Sequence, residues 1–135
     1  MTQIKNTDRK WHLIDFDGKA YGRELSRAAN LLCGKLKVEY SANLDQGDYV
    51  VIINAAKAKF SGNKIKQNMY YKHTGYLGNL KSKSLKEMID KDPVALVKKS
   101  VSGMLPKNKL RDDRLARLKV YAESTHPHQN VKFED

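Results

Sequence analysis

The chain has 135 residues, which suits one domain of common size, and its single cysteine, Cys33, excludes an intramolecular disulfide and a cysteine-based zinc site. No apolar run approaches the roughly 20 residues that span a bilayer, and the first residues lack the apolar stretch of a secretory signal, so we expect a soluble intracellular protein with no membrane partner. The 26 basic and 15 acidic side chains leave a net charge of +11, which makes a polyanion the leading partner.

The basic excess is concentrated in one stretch of the chain. Residues 54–119 hold 17 basic and 5 acidic side chains, whereas residues 1–53 hold 8 and 7, and residues 120–135 hold 1 and 3. A surface that is charged only for solubility tends to mix the two signs along its length. The concentration therefore indicates a binding surface.

The first part of the chain predicts a strand, a helix and a second strand. Residues 11–16 form a short, mostly apolar run before a turn pair, which predicts a buried strand. A helix is predicted from Gly22 to a stop at Gly34, because apolar residues recur there at helical spacing, namely Leu25, Ala28, Ala29 and Leu32. Residues 49–54 form a continuous β-branched run. Two such strands joined through a helix predict a parallel, right-handed crossover and an α/β fold.

The later elements are predicted from start and stop signals. Residues 55–83 have little helical period, which indicates strand fragments and functional loops. Ser84 with Glu87 matches a capping box, and Asp92-Pro93 marks a second helix start. This second helix should end at Gly103 and Pro106, with a buried face of Val94, Val97, Val101 and Met104. A short charged helix over residues 108–117, a strand over 118–121 and a polar surface tail over 123–135 complete the prediction of one domain, 1–135, with polar termini at 1–10 and 129–135.

No group of residues predicts catalysis, a metal or a cofactor. Four aspartates lie at turn positions, where their side chains commonly bond to backbone amides: Asp15, Asp17, Asp45 and Asp48. Residues 61–64 lack the full spacing of a phosphate-binding loop, and no helix is predicted after them. We interpret Cys33 as buried filler and His12 as a structural histidine. His126 and His128, without cysteine or carboxylate neighbours, favour surface or RNA contact over a metal site.

Two segments carry side chains suited to RNA. Residues 70–81 combine tyrosines that stack on bases, lysines for phosphate, and glycines that allow close backbone approach, although a tyrosine-rich hairpin explains the same pattern. Arg111, Arg114 and Arg117 recur at spacing three, so that they lie along one helical face and can follow a phosphate backbone. Pairing with Asp112 and Asp113 on a solvated helix is the alternative.

These segments resemble the signatures of the universal large-subunit ribosomal protein L-thirteen family, bacterial type. The family's C-terminal signature is matched by residues 101–110 and 118–121, and its ending by 126–128. Its central motif is matched by Tyr70, His73, Thr74, Gly75, Gly78 and Lys81. Agreement in order and spacing runs from about residue 11 to about residue 128 and includes Trp11, Gly22-Arg23, Gly47-Asp48-Tyr49 and Ser61-Gly62-Asn63-Lys64. The chain departs from the family at Arg111-Asp112-Asp113, where Gly-Arg is usual, and beyond His128.

The resemblance implies a structural constituent of the large ribosomal subunit and not an enzyme. It implies direct binding to large-subunit ribosomal RNA, early entry into assembly, neighbouring ribosomal proteins as secondary partners, and a cytoplasmic, ribosome-bound protein that is not a homo-oligomer. It also implies a three-layer α/β/α fold around a mainly parallel four-stranded sheet. The expected RNA-binding residues are Lys64, Tyr71, Lys72, His73, Thr74, Gly75, Tyr76, Gly78, Lys81, Lys107, Arg114, Arg117, Lys119, His126 and His128.

Two other classes of function remain open from the sequence. A small nucleotide-handling enzyme is one, because a parallel α/β sheet presents ligand loops at its strand ends, and it would need a pocket lined by Asp15, Ser61 and Lys64. An RNA-binding regulator outside the ribosome is the other, because the same basic surface would bind a messenger RNA.

Overall fold

The framework of the protein is a parallel sheet of three strands. The computed structural model describes residues 9–134. In it, β1 (Trp11–Asp15) and β5 (Leu118–Val120) flank the central β2 (Tyr49–Ile53), and both pairings are parallel. Val50, Val51 and Ile52 are fully buried, as expected for a central strand made of a continuous β-branched run. The predicted α/β class and parallel crossover are therefore confirmed.

The fourth parallel strand expected from the resemblance is not found among the described residues. Beyond β1, the sheet is extended only by a single parallel bridge between Trp11 and Phe133, in which the Glu134 amide donates to the Trp11 carbonyl at 2.8 Å. A single bridge makes no strand, because a ladder requires a run of paired residues. The polar tail predicted over residues 123–135 lies on the surface, and its last described residues are also bound to β1. The three-layer arrangement stays an implication of the resemblance.

The helix α1 (Tyr21–Cys33) packs the predicted apolar stripe into the core. Leu25, Ala28 and Leu32 are buried against the sheet side chains Val50 and Ile52. The helix ends at Gly34, whose φ of 77° lets the chain reverse in the left-handed region, where its amide still reaches the Asn30 and Leu31 carbonyls. Cys33 is buried, which confirms its interpretation as core filler.

Two further helices start at the predicted caps. In α3 (Leu85–Lys91), the Ser84 hydroxyl accepts from the Glu87 amide at 3.2 Å, and in α4 (Pro93–Met104), the Asp92 carboxylate accepts from the Ala95 amide at 3.0 Å. The helix α4 ends at Met104, between the predicted stops Gly103 and Pro106. Val97 and Val101 belong to the core as predicted, but Met104 is exposed, and the core position is taken by Leu105, which follows the helix one position or about 100° further on.

The first part of the basic stretch, residues 55–84, forms a second small sheet with its leading turns. A single 3₁₀ turn (Ala55–Lys57) and the four-residue α2 (Lys64–Gln67) lead to an antiparallel hairpin of β3 (Met69–His73) and β4 (Leu80–Ser84), a sheet separate from the parallel one. The short helix after residue 63 was not predicted. The Leu85 amide donates to the Asn68 carbonyl at 3.0 Å and closes this segment against α3.

The last helix, α5 (Arg111–Ala116), is shorter than predicted. Asn108 forms a turn before it, because its side-chain oxygen accepts from the Leu110 amide at 3.1 Å. The predicted polar terminus 1–10 lies mostly outside the described residues, as does residue 135 of the terminus 129–135. No helix within residues 9–134 has the length and apolar character needed to cross a membrane.

Candidate nucleic-acid interface

The β3–β4 hairpin sorts its side chains onto two faces. Residues paired directly across an antiparallel ladder point to the same side. The register pairs Tyr70 with Lys83 and Lys72 with Lys81, so one side of the hairpin carries these four residues, and we call it the lysine face. Lys99 of α4 joins this face, with its Nζ 4.8 Å from the centre of the Tyr70 ring.

The lysine face concentrates positive charge that no described acid neutralises. Like charges directly opposite each other destabilise a strand pair, and Lys72 and Lys81 are such a pair. Neither they nor Lys83 form an ion pair with an acidic side chain within the described part of the chain. The arrangement is thus unfavourable in isolation and becomes favourable when an anion lies across the face. Lys83 and Lys99 were missed by the sequence reasoning, although Lys81 and Lys83 have the two-residue spacing of one strand face.

The opposite side of the hairpin is aromatic and apolar. It carries Tyr71 and His73 of β3 together with Leu80 of β4, and Tyr71 and Leu80 are 62% and 59% exposed. Aromatic and apolar side chains in water are typical of a surface that stacks on bases or packs on another molecule. The hairpin predicted from the tyrosines as the plainer alternative is confirmed, and its two faces are compatible with the RNA interpretation as well.

The turn of the hairpin holds its residues in defined positions. Gly75 and Gly78 have φ angles of 92° and 74°, in the left-handed region that favours glycine. The Gly75 amide donates to Nδ1 of His73 at 2.9 Å, so the ring proton of neutral His73 is on Nε2, which donates outward. Tyr76 at the tip is 75% exposed, and Thr74 and Gly78 are also on the surface.

The other predicted lysines lie in α2, after α4 and in β5. Lys64 in α2 and Lys107 after α4 are exposed. Lys119 in β5 is half-buried, and its Nζ donates to the Ala116 carbonyl at 3.0 Å. Lys64 and Lys107 are therefore available to an external anion. Lys119 would have to give up its hydrogen bond to the Ala116 carbonyl to bind one.

The predicted arginine ladder on α5 is wrong for two of its three members. Arg114 is 1% exposed and Arg117 is 7% exposed, and only Arg111 remains near the surface. Helical spacing places the three on one face, but that face is turned toward the protein and not toward solvent. A guanidinium buried in this way does not reach a phosphate, so Arg114 and Arg117 have a structural role.

The partner of these arginines is Asp45, which sequence reasoning placed only in a turn. Arg117 makes a bidentate pair with the Asp45 carboxylate, both distances 2.5 Å, and donates to the Leu32 carbonyl at 3.0 Å. Arg9 and Arg114 each lie 3.8 Å from the same carboxylate. Burial raises the pKa of Asp45, but the hydrogen bonds and charge of Arg117 outweigh it and hold that pKa below its usual range. The cluster ties α5 to the C-terminal end of α1.

Two histidines expected on the surface belong to an aromatic cluster beside β1. His128 Nε2 and the Tyr121 hydroxyl share a hydrogen bond of 2.8 Å, and the centre of the His128 ring lies 5.3 Å from that of the Trp11 ring. His126 packs edge-on against Phe133 at 5.8 Å. Both are half-buried, so any RNA contact would use only their exposed edges.

His12 is held by structural contacts, as predicted. Its Nε2 lies 3.1 Å from the Asp48 carboxylate and its Nδ1 2.9 Å from the Glu134 carbonyl. Asp48 also pairs with Lys37 at 2.7 Å. Burial raises the pKa of Asp48, but these partners outweigh it and lower that pKa below its usual range.

The pocket that a nucleotide-handling enzyme would need is not assembled. Ser61 and Lys64 line one cavity, but Asp15 does not: its carboxylate accepts from the Asp17 amide at 2.9 Å and the Asn54 amide group at 2.8 Å. Burial raises the pKa of Asp15, and these hydrogen bonds lower it, with a net pKa below the usual range. Within residues 9–134, no cluster of histidine, cysteine or carboxylate side chains is arranged to hold a metal ion.

Comparison with known proteins identifies a family. The family model described as Ribosomal protein L13 matches residues 9–127. A large ribosomal subunit protein uL13 from Nitratiruptor sp. is 49% identical over 95% of this chain and 91% of its own length. The protein of the same description from Geobacter sulfurreducens is 49% identical over 90% and 85%, and that from Thermotoga petrophila is 44% identical over 99% and 90%.

Proposed function

Because this chain belongs to the Ribosomal protein L13 family, we propose that it binds large-subunit ribosomal RNA directly and supports early assembly of that subunit. It is a protein of the large ribosomal subunit, ribosome-bound in the cytoplasm, and not an enzyme, in line with the relatives described above, which are named as large ribosomal subunit proteins uL13. Neighbouring ribosomal proteins are its secondary partners, and we expect a single copy and not a homo-oligomer.

The observation that carries direct RNA binding is the lysine face of the hairpin. Lys72 and Lys81 are paired across the ladder, and Lys83 and Lys99 lie beside them. These four cations have no acidic partner among the described residues, so their mutual repulsion lowers the stability of the free protein. Binding to an RNA phosphate backbone offsets this repulsion, and the counterions released from the RNA favour the complex. The exposed Tyr71 and Tyr76 supply stacking surfaces next to these cations.

Specificity for folded RNA follows from the same geometry. Double-stranded RNA offers mainly shape, phosphates and 2′-hydroxyls, whereas loops and junctions offer unstacked bases. A hairpin with lysines on one side and aromatic rings on the other is suited to a place where a phosphate backbone and open bases come close together. We therefore expect a junction or loop of the ribosomal RNA as the target.

The first test is the salt dependence of binding to a transcript of the large-subunit ribosomal RNA. Five predicted lysines remain available to phosphates, namely Lys64, Lys72, Lys81, Lys107 and Lys119. These five contacts predict a log-log slope of affinity against salt of about −4.5 by the duplex coefficient, and contacts from Lys83 and Lys99 would make the slope steeper. A slope near zero, measured by filter binding, would contradict direct phosphate contact.

The second test removes the paired lysines. Lys72→Ala with Lys81→Ala should weaken RNA binding by at least about tenfold, reduce the salt slope by about 2, and leave the thermal midpoint unchanged or slightly higher, since a like-charge pair is removed. Lys35→Ala, an exposed lysine after α1, is the control and should change the affinity little. Equal effects of the hairpin and control variants would contradict the assigned site.

The assembly role is tested in cells that carry only the double lysine variant. We expect precursors of the large subunit to accumulate in sedimentation profiles, because an early protein that binds RNA weakly delays the later steps. Wild-type protein should comigrate with large subunits in high salt. Comigration with a messenger RNA in place of large subunits would instead favour a regulator outside the ribosome.

A further inference from the structure

A cavity of about 490 Å³ lies between the start of α1 and the segment that leads into the hairpin. The two walls are joined by backbone: the Tyr21 amide donates to the Lys59 carbonyl at 2.9 Å, and the Lys59 amide donates to the Lys19 carbonyl at 3.0 Å. Because the parallel sheet positions α1 and these bonds position residues 59–60, the cavity is formed before any ligand arrives. Its size falls within the usual range of small-ligand sites.

One part of the cavity lining is aromatic. Tyr21, Phe60 and Tyr70 all line it. The Tyr21 and Phe60 rings lie 4.5 Å apart at 33°, and the Ser100 hydroxyl, which donates to the Leu96 carbonyl, accepts from the Tyr21 hydroxyl at 3.0 Å. Burial raises the pKa of Tyr21 to about 12, so the ring is neutral at physiological pH. Aromatic rings held in this way offer fixed surfaces for another flat ring.

The rest of the lining is cationic. Arg23, Lys59 and Lys64 contribute to the cavity, and no acidic residue does. All three are exposed, and none forms an ion pair with an acid among residues 9–134. Gly22 adds open space, because no atom lies within 4 Å of the position that its side chain would occupy. The cavity therefore combines room for a flat ring with unneutralised positive charge.

We propose that this cavity receives one unstacked nucleotide of the ribosomal RNA, with its base against Phe60 and Tyr70 and its phosphate at Arg23 and Lys59. This inference rests on the proposed function and adds a second contact next to the lysine face of the hairpin, with which the cavity shares Tyr70. A base with an attached phosphate matches both parts of the lining, because the base stacks on the aromatic rings and the phosphate pairs with the cations. Lys64 lines the same cavity and adds a third cation to it.

The nucleotide belongs to an RNA chain and is not a free metabolite. The three cations are exposed, so a phosphate that they bind is free to continue into further backbone on either side. The lysine face adjoins the cavity, because Tyr70 lines the cavity and its ring also contacts Lys99 of the lysine face. A free nucleoside monophosphate would use the cavity alone and would gain nothing from these neighbours.

The test compares matched variants of the whole chain in binding to a transcript of the large-subunit ribosomal RNA. Phe60→Leu keeps an apolar side chain but loses the ring, and should weaken binding about tenfold, whereas Phe60→Tyr keeps the ring and should restore it. Arg23→Ala should weaken binding about fivefold, and Arg27→Ala, one turn further along α1 and outside the cavity, should change it less than twofold. Arg23 is exposed, so its variant remains informative if Phe60→Leu fails to fold.

Photo-crosslinking supplies a readout that a merely structural role would not change. Irradiation of the wild-type complex should attach a single nucleotide to a peptide that contains Phe60 or Tyr70, and Phe60→Leu should remove the Phe60 crosslink. Crosslinks confined to the hairpin tip would overturn the proposal. Titration with adenosine and uridine monophosphates should show no saturation below millimolar concentrations, and micromolar saturation would instead assign the cavity to a free nucleotide and overturn it.

The outcomes separate the two proposals. If the wild-type protein binds the transcript with the expected salt slope but Arg23→Ala and Arg27→Ala behave alike, the cavity proposal is overturned and the proposed function stands. If the wild-type protein does not bind the transcript, the proposed function fails and the cavity proposal fails with it.

Discussion

At the scale of single residues, the Asp45 carboxylate joins three arginines from distant parts of the chain. It lies among three guanidinium groups and makes a bidentate pair with Arg117. Several nitrogens of this cluster, Arg114 Nε and Nη2 and Arg117 Nε, are buried with no hydrogen-bond partner among the described residues. The single carboxylate therefore compensates charges that have few other partners.

Asp45→Asn should destabilise the protein by about 3 kcal/mol, because it leaves the Arg117 charge buried without compensation. The measurement is the urea midpoint at neutral pH. Asp90→Asn, an exposed aspartate in α3, is the matched control and should change stability by less than about 0.5 kcal/mol. A loss for Asp45→Asn no larger than that of the control would contradict the role of this pair.

The three aspartates with lowered pKa values predict a dependence of stability on pH. Asp15, Asp45 and Asp48 all have folded-state pKa values below their usual range, so the unfolded chain binds more protons than the folded chain near pH 4. Their contribution is fully present above about pH 5 and is lost as the pH falls through their folded pKa values. Urea unfolding at pH 7, 5, 4 and 3 should show this decrease, and Asp45→Asn should flatten it. An equal slope in wild type and variant would count against Asp45 as a source.

At the scale of elements, the contact between the end of α1 and the segment before β2 is set by a glycine. A side-chain carbon at Gly47 would overlap the Leu32 carbonyl and approach the Arg117 guanidinium. The same carbonyl accepts from Arg117, so α1, α5 and the start of β2 meet at this one point. Only a residue without a side chain allows the approach.

Gly47→Ala should therefore destabilise the protein by about 3 kcal/mol, because the overlap is with backbone, which cannot turn aside. Gly103→Ala is the matched substitution. Gly103 lies within α4, with nothing within 4 Å of its missing side chain, so alanine there should stabilise by about 0.5 to 1 kcal/mol through helix propensity. Thermal midpoints of the two variants should move in opposite directions, and a shift in the same direction would contradict one of the two placements.

The β3–β4 hairpin is the element built most directly from local contacts, because its two strands pair with each other and are joined by a short turn. Its ladder and turn are local, and its exposed side chains alternate between two faces because a strand has a period of two. We expect Tyr76→Ala to weaken RNA binding at particular sequences, whereas lysine changes weaken it more uniformly, because phosphates are the same at every nucleotide. Binding to a panel of RNA loops measures this difference. If Tyr76→Ala instead lowers the affinity equally for every RNA in the panel, the hairpin tip contacts the phosphate backbone of the RNA and not its bases.

At the scale of the whole molecule, the two ends of the described chain are bound together beside β1. Trp11 stacks on Tyr49 at 4.4 Å and lies next to His128, and its carbonyl accepts from the Glu134 amide. Lys10 and Glu134 add an ion pair at 2.7 Å on the surface. The polar tail thus covers one edge of the parallel sheet.

Phe133→Ala should loosen this tail without unfolding the core. The amide of Glu134, which donates to Trp11, should exchange with solvent about tenfold faster, because Phe133 loses its packing against His126. The Tyr49 amide, which donates to the Lys10 carbonyl at 2.9 Å in the neighbouring pair, is the internal control and should exchange at an unchanged rate. Equal acceleration of both amides would show that the tail and the sheet open together.

Features encoded within a few residues of the chain were determined by the sequence alone. The stripe of α1 and its stop at Gly34, the caps Ser84 and Asp92, and the buried run of β2 all follow from local spacing, since each depends on bonds or periods spanning at most a few turns. The motif over residues 70–81 likewise predicted a hairpin and carried the resemblance to the family. Local physics is sufficient for these features because their partners are close in sequence.

Only the tertiary structure decided which faces are covered. Spacing places Arg114 and Arg117 on one side of α5, but the partner that buries them, Asp45, is 72 residues from Arg117 along the chain. Leu105 takes the core position in place of Met104, and Phe133 returns to Trp11, for the same reason. A helical or strand period specifies which residues share a face, whereas the direction of that face depends on how distant elements pack together.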